Sequence, residues 1–445
     1  MLELRNDYWQ LSFGSPAGPV ALTSLSTAVS AQQWLMAVQD CYQFVQQQPG
    51  DTVLLYQPDL LQFSIAFAAL AQAKKHIVLA PDGQSDTLAK AARSCDWQLS
   101  QTFALQPYSD KPASVCFSTQ CQVSFFTSGS SGQPKLISKS VSQLLREVQT
   151  LQQQFALQLA SNVLIAGTVS AQHIYGLLFR FLLPLCSDRP FFCPQLEYLE
   201  QWLELIQKQP ALFVASPAHL ARFDDLAKLQ PFAGNIAGIF SSGGPLADSE
   251  PQRYRHTLGQ APLEIYGSTE TGGIAFRQRD DSSMAWQLFR GVQMSQDARG
   301  ALQVTSSHLA GSEPYQTEDQ VQMLSDRQFV LLGRLDRIVK LEEKRLSLLE
   351  MEQYCLLSPL IIAAAALILD TPRAQLALVV QLSDTGRNVL QQQGKLALNR
   401  QIKQHLLQRF EPVLLPKRFR YPDALPYNAQ GKLPRAQLEA LFSDH

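Results

Sequence analysis

The stretch Phe125-Phe-Thr-Ser-Gly-Ser-Ser-Gly-Gln-Pro-Lys135 decides how the chain is interpreted. The mostly apolar run Val123–Phe126 leads into it and predicts a buried strand. Glycines let the backbone approach a bound group closely, and successive backbone N–H groups in such a turn can form an anion-binding nest. The hydroxyls add donors, and Lys135 adds a compact positive charge. The stretch therefore suits the phosphates of a nucleotide.

Two other interpretations of this stretch compete. The phosphate-loop pattern G-x-x-x-x-G-K-[ST] does not match, because Gly129 and Gly132 are too close and Gln133-Pro134 separates Gly132 from Lys135. A cluster of glycine and serine is also typical of a surface linker. The stretch alone leaves phosphate binding and a linker open, so the rest of the chain decides.

Composition limits the class of protein. A length of 445 residues allows two or three domains, and a hydrophobic content of 46% favours a well-packed globular protein. The net charge of -1 predicts no basic face for nucleic acid. No apolar run reaches the length of a membrane span, and the N-terminus MLELRNDYWQ lacks the pattern of a signal peptide. We therefore expect a cytoplasmic protein.

The cysteines indicate neither a disulfide framework nor a zinc site. There are seven, an odd number, and no C-x-x-C pair occurs. Buried free thiols are the simpler expectation.

Apolar runs alternate with a helical pattern near the N-terminus. The strand-like segments at 51–59 and 76–83 flank the helical segment Gln62–Ala73, an order that predicts a parallel sheet covered by helices. Near the C-terminus, the charged helical segment Asn388–Phe410 follows the apolar runs Ala363–Leu369 and Leu376–Val380. That part of the chain suits a small α+β domain.

Further segments rich in glycine, hydroxyls and charge follow the Phe125–Lys135 stretch in order. They are His173-Ile-Tyr-Gly176, Ile236–Leu246 (IAGIFSSGGPL), Leu263–Gly273 (LEIYGSTETGG), Tyr315–Asp319 (YQTED), Leu331–Glu352 (LLGRLDRIVKLEEKRLSLLEME) and Leu425–Arg435 (LPYNAQGKLPR).

Taken together, these motifs resemble those of the AMP-forming acyl-adenylating enzymes. That superfamily includes acyl- and aryl-CoA synthetases, peptide-synthetase adenylation domains and beetle luciferases. The first stretch meets every defined position of its Thr-Ser-Gly-(Ser/Thr)-(Ser/Thr)-Gly-x-Pro-Lys pattern, and Tyr266–Glu270 reproduces its Tyr-Gly-x-Thr-Glu. The resemblance implies an α/β fold: a large N-terminal domain of parallel and mixed sheets with covering helices over 1–334, and a small mobile α+β lid domain over 335–445.

The resemblance also implies roles for individual residues. Catalytic roles are implied for Lys432, Thr269, Glu270 and His173, with Glu270 as the ligand of Mg²⁺. Asp336 is implied as the hinge between the domains, and Glu343 lies at the position that lines the acceptor tunnel. The residues implied to bind ATP are Thr127, Ser128, Gly129, Ser130, Ser131, Gly132, Lys135, Ser242, Gly243, Gly244, Tyr266, Gly267, Ser268, Asp319 and Arg334.

These residue types suit the implied chemistry. An aromatic ring such as that of Tyr266 offers adenine a stacking surface. The Asp319 carboxylate can accept hydrogen bonds from two ribose hydroxyls. Magnesium takes one or two protein carboxylates and completes its shell with phosphate oxygens, so one glutamate suffices. The position of Lys432 implies a bridge between the substrate carboxylate and the α-phosphate.

Three departures from the family pattern stand out. Ser242 occupies a glycine position, and Glu318 replaces the usual glycine before Asp319. Glu343 stands where most members have a glycine that the pantetheine arm passes. Because its bulk and negative charge would oppose anionic CoA more than a carrier-bound arm, it favours a carrier-protein acceptor.

The function implied is the ATP-dependent activation of an aromatic or modest-length carboxylic acid. The acyl-adenylate would then pass to a phosphopantetheine thiol of CoA or of an acyl carrier protein, releasing AMP and pyrophosphate. A luciferase-like or other adenylate-using enzyme and a non-catalytic adenylate-binding regulator are the alternatives, and intact Lys432 and Glu270 disfavour the regulator. We expect the acid pocket to be lined from Val169–Gly176, Phe213–His219 and Gly272–Ile274.

Overall fold

The computed structural model describes residues 2–106, 114–128, 134–159, 162–279, 284–311, 313–341, 344–369, 375–427 and 433–443. The strands are β1 Leu2–Arg5, β2 Tyr8–Ser12, β3 Pro19–Ser24, β4 Thr27–Ser30, β5 Thr52–Leu55, β6 His76–Leu79, β7 Trp97–Leu99, β8 Ser114–Ser118, β9 Gln122–Ser128, β10 Pro134–Ser140, β11 Leu164–Gly167, β12 Phe191–Gln195, β13 Ala211–Ala215, β14 Ile236–Ser241, β15 Leu263–Ser268, β16 Gly272–Gln278, β17 Trp286–Leu288, β18 Gln293–Gln296, β19 Ala301–Thr305, β20 Tyr315–Ser325, β21 Gln328–Arg334, β22 Ile338–Leu341, β23 Lys344–Ser347, β24 Ile361–Leu369, β25 Gln375–Leu382 and β26 Arg418–Arg420.

The helices cover the faces of these strands. They are α1 Ala31–Gln46, α2 Leu60–Gln72, α3 Ser85–Ala92, α4 Val141–Gln154, α5 Ile174–Gly176, α6 Leu183–Cys186, α7 Leu199–Lys208, α8 Pro217–Arg222, α9 Ser249–Leu258, α10 Leu348–Cys355, α11 Asp384–Leu406 and α12 Arg435–Ala440. A π-helical segment, Leu177–Leu182, joins α5 to α6, and short 3₁₀ segments cover Leu226–Asn235, Leu335–Arg337 and Pro412–Leu414.

Parallel pairing dominates the centre of the fold. One five-stranded sheet has the order β10-β9-β6-β5-β7, in which only the β10–β9 pair is antiparallel. In the largest sheet, the consecutive strands β15-β14-β13-β11-β12-β3 are all parallel. The predicted α/β fold with parallel and mixed sheets and covering helices is therefore confirmed.

Local sequence explains where several elements begin and end. A serine precedes each of the helices α1 and α4, and its side chain accepts a hydrogen bond from the backbone N–H of the glutamine three residues later. The side chain of that glutamine accepts a hydrogen bond from the backbone N–H of the serine. These capping boxes, Ser30–Gln33 and Ser140–Gln143, satisfy donors that a helix start leaves unpaired. Strands β5 and β6 are short, almost entirely buried apolar runs, as parallel strands covered on both faces must be.

Two segments have structure that their local sequence does not indicate. The polar segment 277–300 contains β17 and β18, because Trp286 and Leu288 are buried where β17 pairs with β21. The apolar stretch after His173 is divided into α5, the π-helical segment and α6.

The buried apolar clusters divide near the predicted domain boundary. In the described part of the chain, three clusters draw their members from residues up to Leu331, and two draw theirs from Val339 onward. We therefore propose 335–445 as a separate unit, built on β24-β25-β26, the hairpin β22-β23 and helices α10, α11 and α12. Its mobility stays a prediction. Among the described helices, none combines the length and the apolar character that crossing a bilayer requires.

A buried ionic cluster fixes the β15–β16 pair. Glu264 on β15 is paired with Arg277 at 2.9 Å and with Arg279 at 2.6 Å, and the three side chains are at most 13% exposed. Arg279 also donates to Asp248 and to the carbonyl oxygen of Leu246. Removing one partner of a buried pair leaves the remaining charge uncompensated, which is strongly destabilising.

We expect Glu264→Gln to lower the stability of the large domain by about 3–5 kcal/mol, because Arg277 loses its carboxylate partner and Arg279 retains the exposed Asp248. The measurement is the midpoint of thermal unfolding, which should fall by about 6 °C or more. Glu200→Gln is the control, since the pair of Glu200 with Lys228 is largely exposed and such pairs contribute about 1 kcal/mol or less. Equal midpoints for the two variants would contradict the expectation.

Candidate active site

The turn between β15 and β16 carries the two central site residues, Thr269 and Glu270. Ser268 and Thr271 close it through reciprocal bonds, in which each backbone N–H donates to the other side chain at 3.1 Å. A Cβ at Gly267 would collide with the carbonyl oxygen of Gly272, so the tight approach of the two strands requires glycine there. The geometry holds Thr269 and Glu270 at the tip of a rigid turn.

A buried lysine anchors this turn from below. Lys139, at the end of β10 and only 2% exposed, donates from Nζ to the carbonyl oxygens of Glu270 at 2.9 Å and His308 at 3.3 Å. Burial lowers the pKa of its ammonium group, while the charges of Glu147 and Glu270 oppose that shift. The same burial, with the charge of Lys139, lowers the pKa of His308 to about 4, so that imidazole is neutral at ordinary pH. Sequence reasoning missed Lys139, because nothing in its local pattern marks it as buried.

The predicted adenine and ribose residues meet at one place. Asp319 and Arg334 are register partners across β20 and β21, and Arg334 Nη1 donates to Asp319 Oδ1 at 3.2 Å. The Tyr266 hydroxyl is buried beside the same carboxylate, without a hydrogen bond of good geometry. Burial above all, and then the charge of Asp319, raise the pKa of Tyr266. The Tyr266 ring packs against Trp286 and Phe329, which fixes its plane.

The end of β14 supplies the residues predicted to lie along the adenine. Ser242 Oγ donates to the carbonyl oxygen of Ile265 at 2.9 Å and so links this segment to β15. The departure from glycine at 242 therefore adds a strand-to-strand bond. Ser242 and Gly243 line the cavity described below, and Gly244 follows them with open space around its Cα.

The predicted phosphate loop connects two paired strands. β9 ends at Ser128 and β10 begins at Pro134, with Thr127 opposite Lys135 in the antiparallel register. β9 is parallel to β6, so its last residue, Ser128, lies at the carboxyl end of parallel strands, where ligands of α/β sheets characteristically bind. Gly129, Ser130, Ser131 and Gly132 lie outside the described residues.

Several other predicted residues also lie outside the described part of the chain. These are Lys432, Glu343 and the side chain of Asp336, whose backbone belongs to the 3₁₀ segment Leu335–Arg337. Their roles stay predictions.

A cavity of about 130 Å³ opens beside the β15–β16 turn. All three stretches expected to form the acid pocket contribute to its lining. The first contributes His173 among others, the second Ser216 and His219, and the third Gly272 and Gly273. Thr269 lies on its wall together with Phe125 of β9. The cavity thus joins the turn that carries Glu270 to a largely apolar interior.

His173 stands directly before α5, at the head of the helical segment along the cavity. The π-helical turn Leu177–Leu182 follows, and such turns frequently occur at functional sites. Arg180 in this turn is 2% exposed and donates to carbonyl oxygens of Val169, Phe192, Cys193 and Pro194. The guanidinium therefore holds the loop after β11 and the end of β12 in place behind the cavity.

Glu147 on α4 is a cavity residue that sequence reasoning missed. It is 1% exposed, and its Oε1 accepts from the backbone N–H of Gly273 at 2.6 Å. Burial raises the pKa of its carboxyl group to about 7, partly offset by the charge of Lys139. A signal was present, since Glu147 lies three residues after Leu144 and four before Leu151, on the apolar face of the helix.

The residues present fit a magnesium ion that relies on phosphate oxygens. In the part of the chain that the structure describes, no group of three or more His, Cys, Asp or Glu side chains could hold a metal. Glu270 alone offers a half-exposed carboxylate at the tip of the turn. One carboxylate with several waters and phosphate oxygens is the arrangement that Mg²⁺ usually takes.

Comparison with known proteins bears on the family of the chain. The family model described as "AMP-binding enzyme" matches residues 74–294. A 4-coumarate–CoA ligase of Cereibacter sphaeroides is 28% identical over 316 residues, which cover 71% of this chain and 70% of that protein. A 4-coumarate–CoA ligase of Rhodobacter capsulatus is 26% identical over 319 residues, which cover 71% and 75% of the two chains.

Among solved structures, ATP-bound MatB from Rhodopseudomonas palustris has the same fold. It superimposes with a TM-score of 0.76 over 97% of both chains, at 17% sequence identity. The family model, the two curated ligases and the ordered motifs agree, which confirms the resemblance: the chain belongs to the superfamily of AMP-forming acyl-adenylating enzymes and is an AMP-forming ligase.

Proposed function

We propose that the protein joins a carboxylic acid to a thiol in two steps driven by ATP. In the first, the acid becomes an acyl-adenylate and pyrophosphate leaves; in the second, a phosphopantetheine thiol takes the acyl group and AMP leaves. The observation that carries the proposal is the convergence of Tyr266, Asp319 and Arg334 beside the turn bearing Thr269 and Glu270, which opens on an aromatic-walled cavity.

In the first step a carboxylate oxygen of the acid attacks the α-phosphorus of ATP, and the bond to the bridging oxygen of pyrophosphate breaks. Such chemistry relies on positioning and charge stabilisation more than on covalent help from the protein. We assign Tyr266 to adenine, the Asp319–Arg334 pair to ribose, Thr269 to the α-phosphate and the Thr127–Lys135 segment to the outer phosphates. Lys432 would cancel the repulsion between the carboxylate and the α-phosphate.

Magnesium, held by Glu270, would neutralise charge on the phosphates. Because Lys139 and the Ser268–Thr271 bonds fix the backbone on both sides, the Glu270 carboxylate starts from a preorganised turn. Preorganised groups stabilise a transition state without reorganisation at the moment of reaction.

The cavity favours an aromatic or modest-length acid. Its volume of about 130 Å³ is close to that of an engineered cavity of about 150 Å³ that holds benzene. Phe125, Tyr175 and Phe179 lie in its wall, and aromatic walls suit a flat ring. His173, at the head of α5, would lie beside the carboxylate of the acid.

For the second step we propose the thiol of an acyl carrier protein as the preferred acceptor, with CoA as the other candidate. Glu343 is the residue that would oppose the anionic groups of CoA. Two nearby cations already have other carboxylate partners: Lys344 is 3.1 Å from Glu411, and Arg337 is 2.6 Å from Glu352. Lys344 and Arg337 are therefore engaged with other carboxylates.

We expect Lys432→Ala to lower the rate of acid-dependent pyrophosphate exchange by about 10²–10³, the effect of removing one preorganised charge from a transition state. Thioester formation from a supplied acyl-adenylate should stay near the wild-type rate, because only the first step uses this lysine. Lys395→Ala, an exposed lysine of the same small domain, serves as the control and should change neither step. A similar loss in both half-reactions would refute the assignment.

Asp319→Ala should raise the Kd for ATP at least about 10-fold, because bonds from ribose hydroxyls to a carboxylate contribute about 1.5–3 kcal/mol each. Isothermal titration calorimetry measures the change. The neighbouring Glu318→Ala is the matched control, since Glu318 is more exposed and interacts with Arg299 at 3.6 Å. An ATP affinity that is the same in the two variants would speak against a ribose role.

The acceptor preference is tested by kcat/KM for CoA and for a holo carrier protein. We expect the wild type to favour the carrier protein, and Glu343→Gly to raise kcat/KM for CoA at least about 10-fold, the effect of about 1.4 kcal/mol. The control Glu350→Gln alters a surface pair with Arg409 in the same small domain and should change neither value. Efficient use of CoA by the wild type, unaltered by Glu343→Gly, would dispose of the preference.

A further inference from the structure

One oxygen of the Glu147 carboxylate is buried at the cavity without a partner. Oε1 accepts from the backbone N–H of Gly273, but Oε2 has no hydrogen-bond partner in the described part of the chain. Nearly all buried polar atoms in folded proteins have a partner, from protein, water or ligand. Because Glu147 lines the cavity, a bound molecule there can supply the missing donor.

The backbone around Glu147 leaves room for its free oxygen. Gly272 has φ +70°, and a Cβ at this position would collide with Oε2. Lys139 does not satisfy this oxygen, since its ammonium donates to the carbonyl oxygens of Glu270 and His308 instead. The positive charge of Lys139 still acts on the carboxylate, and a donor at Oε2 would further favour the ionised form.

Several other polar groups along the cavity are already engaged with protein atoms. The Tyr175 hydroxyl donates to the carbonyl oxygen of Ala215 at 3.3 Å, and His219 Nδ1 lies 2.8 Å from Ser216 Oγ. Phe125 and Phe179 complete an apolar wall. Glu147 therefore offers a buried carboxylate oxygen as an acceptor in a cavity whose aromatic walls suit a ring.

We propose that Glu147 is a specificity-determining residue, whose Oε2 accepts a hydrogen bond from a hydroxyl or amino group on the ring of the acid, away from its carboxylate. The inference rests on the proposed function and names its substrate class: a single-ring aromatic acid that carries a hydrogen-bond donor. An unsubstituted ring would bury Glu147 Oε2 with no partner, and sites that lose a buried hydrogen bond discriminate strongly against the defective substrate.

The test is acid-dependent pyrophosphate exchange with benzoic acid and with the meta and para isomers of hydroxybenzoic and aminobenzoic acid. We expect kcat/KM for the best hydroxyl or amino acid to exceed that for benzoic acid at least about 10-fold. The two series distinguish a hydroxyl from an amine as the donor. Equal values for benzoic acid and all substituted acids would overturn the inference. Exchange with a short aliphatic acid but with none of these ring acids would overturn the inference and leave the proposed function standing. Absence of exchange with any carboxylic acid would overturn the proposed function itself.

A variant locates the effect at position 147. Glu147→Gln preserves the size of the side chain and an oxygen for the Gly273 N–H, but it places an amide donor where Oε2 was. We expect this variant to reduce the preference for hydroxyl or amino acids over benzoic acid at least about 10-fold. It should instead favour methoxybenzoic acid, whose methoxy oxygen can only accept a hydrogen bond. Glu250→Gln, which alters a buried carboxylate paired with Arg253 and outside the cavity lining, should leave the preference unchanged. An unaltered preference in Glu147→Gln would overturn the inference. Thermal unfolding verifies that the variant is folded. If the variant does not fold, the comparison of substituted acids with benzoic acid in the wild type decides.

Discussion

A buried cation holds the wall of the site together. Burying the Lys139 ammonium is costly unless hydrogen bonds and charge compensate it, and its contacts come from two separate segments, at Glu270 and at His308. Gln143 of α4 donates to the same His308 oxygen at 3.1 Å. The β15–β16 turn, the start of α4 and the loop before β20 therefore depend on one another, and a shift in any one leaves a charge or a carbonyl group unsatisfied.

Under the proposed function, this coupling would place two recognition tasks on one strand pair. β15 carries Tyr266 toward the Asp319–Arg334 pair, while the turn that follows carries Thr269 along the cavity wall. The buried cluster of Glu264 with Arg277 and Arg279 fixes the register of the same strands a few residues earlier. Nucleotide and acid would thus be held by a single rigid element, which suits a reaction whose catalysis consists largely of positioning.

Much of this organisation could be predicted from the sequence, because the motifs are local. Tyr266–Glu270 form a strand and turn that need only their neighbours, and the alternation of apolar runs near 51–83 predicts parallel strands. The missed residues are those whose setting is made by distant segments. Lys139 is buried by contacts with Glu270 and His308, which lie 131 and 169 positions further along the chain. Strand β17 forms because Trp286 pairs with Phe329 of β21. Pairing between segments so far apart leaves no trace in a local pattern.

The proximity of Gly272 to Glu147 has a consequence for how such pockets diversify. The two positions compete for the same volume, since a Cβ at 272 would occupy the space of Glu147 Oε2. A descendant could gain a side chain at 272 only after position 147 had become smaller, and the opposite order would pass through a clashing intermediate. In homologues a side chain at 272 should therefore be rare, because the φ of +70° also strains it, and it should occur together with a residue smaller than glutamate at 147.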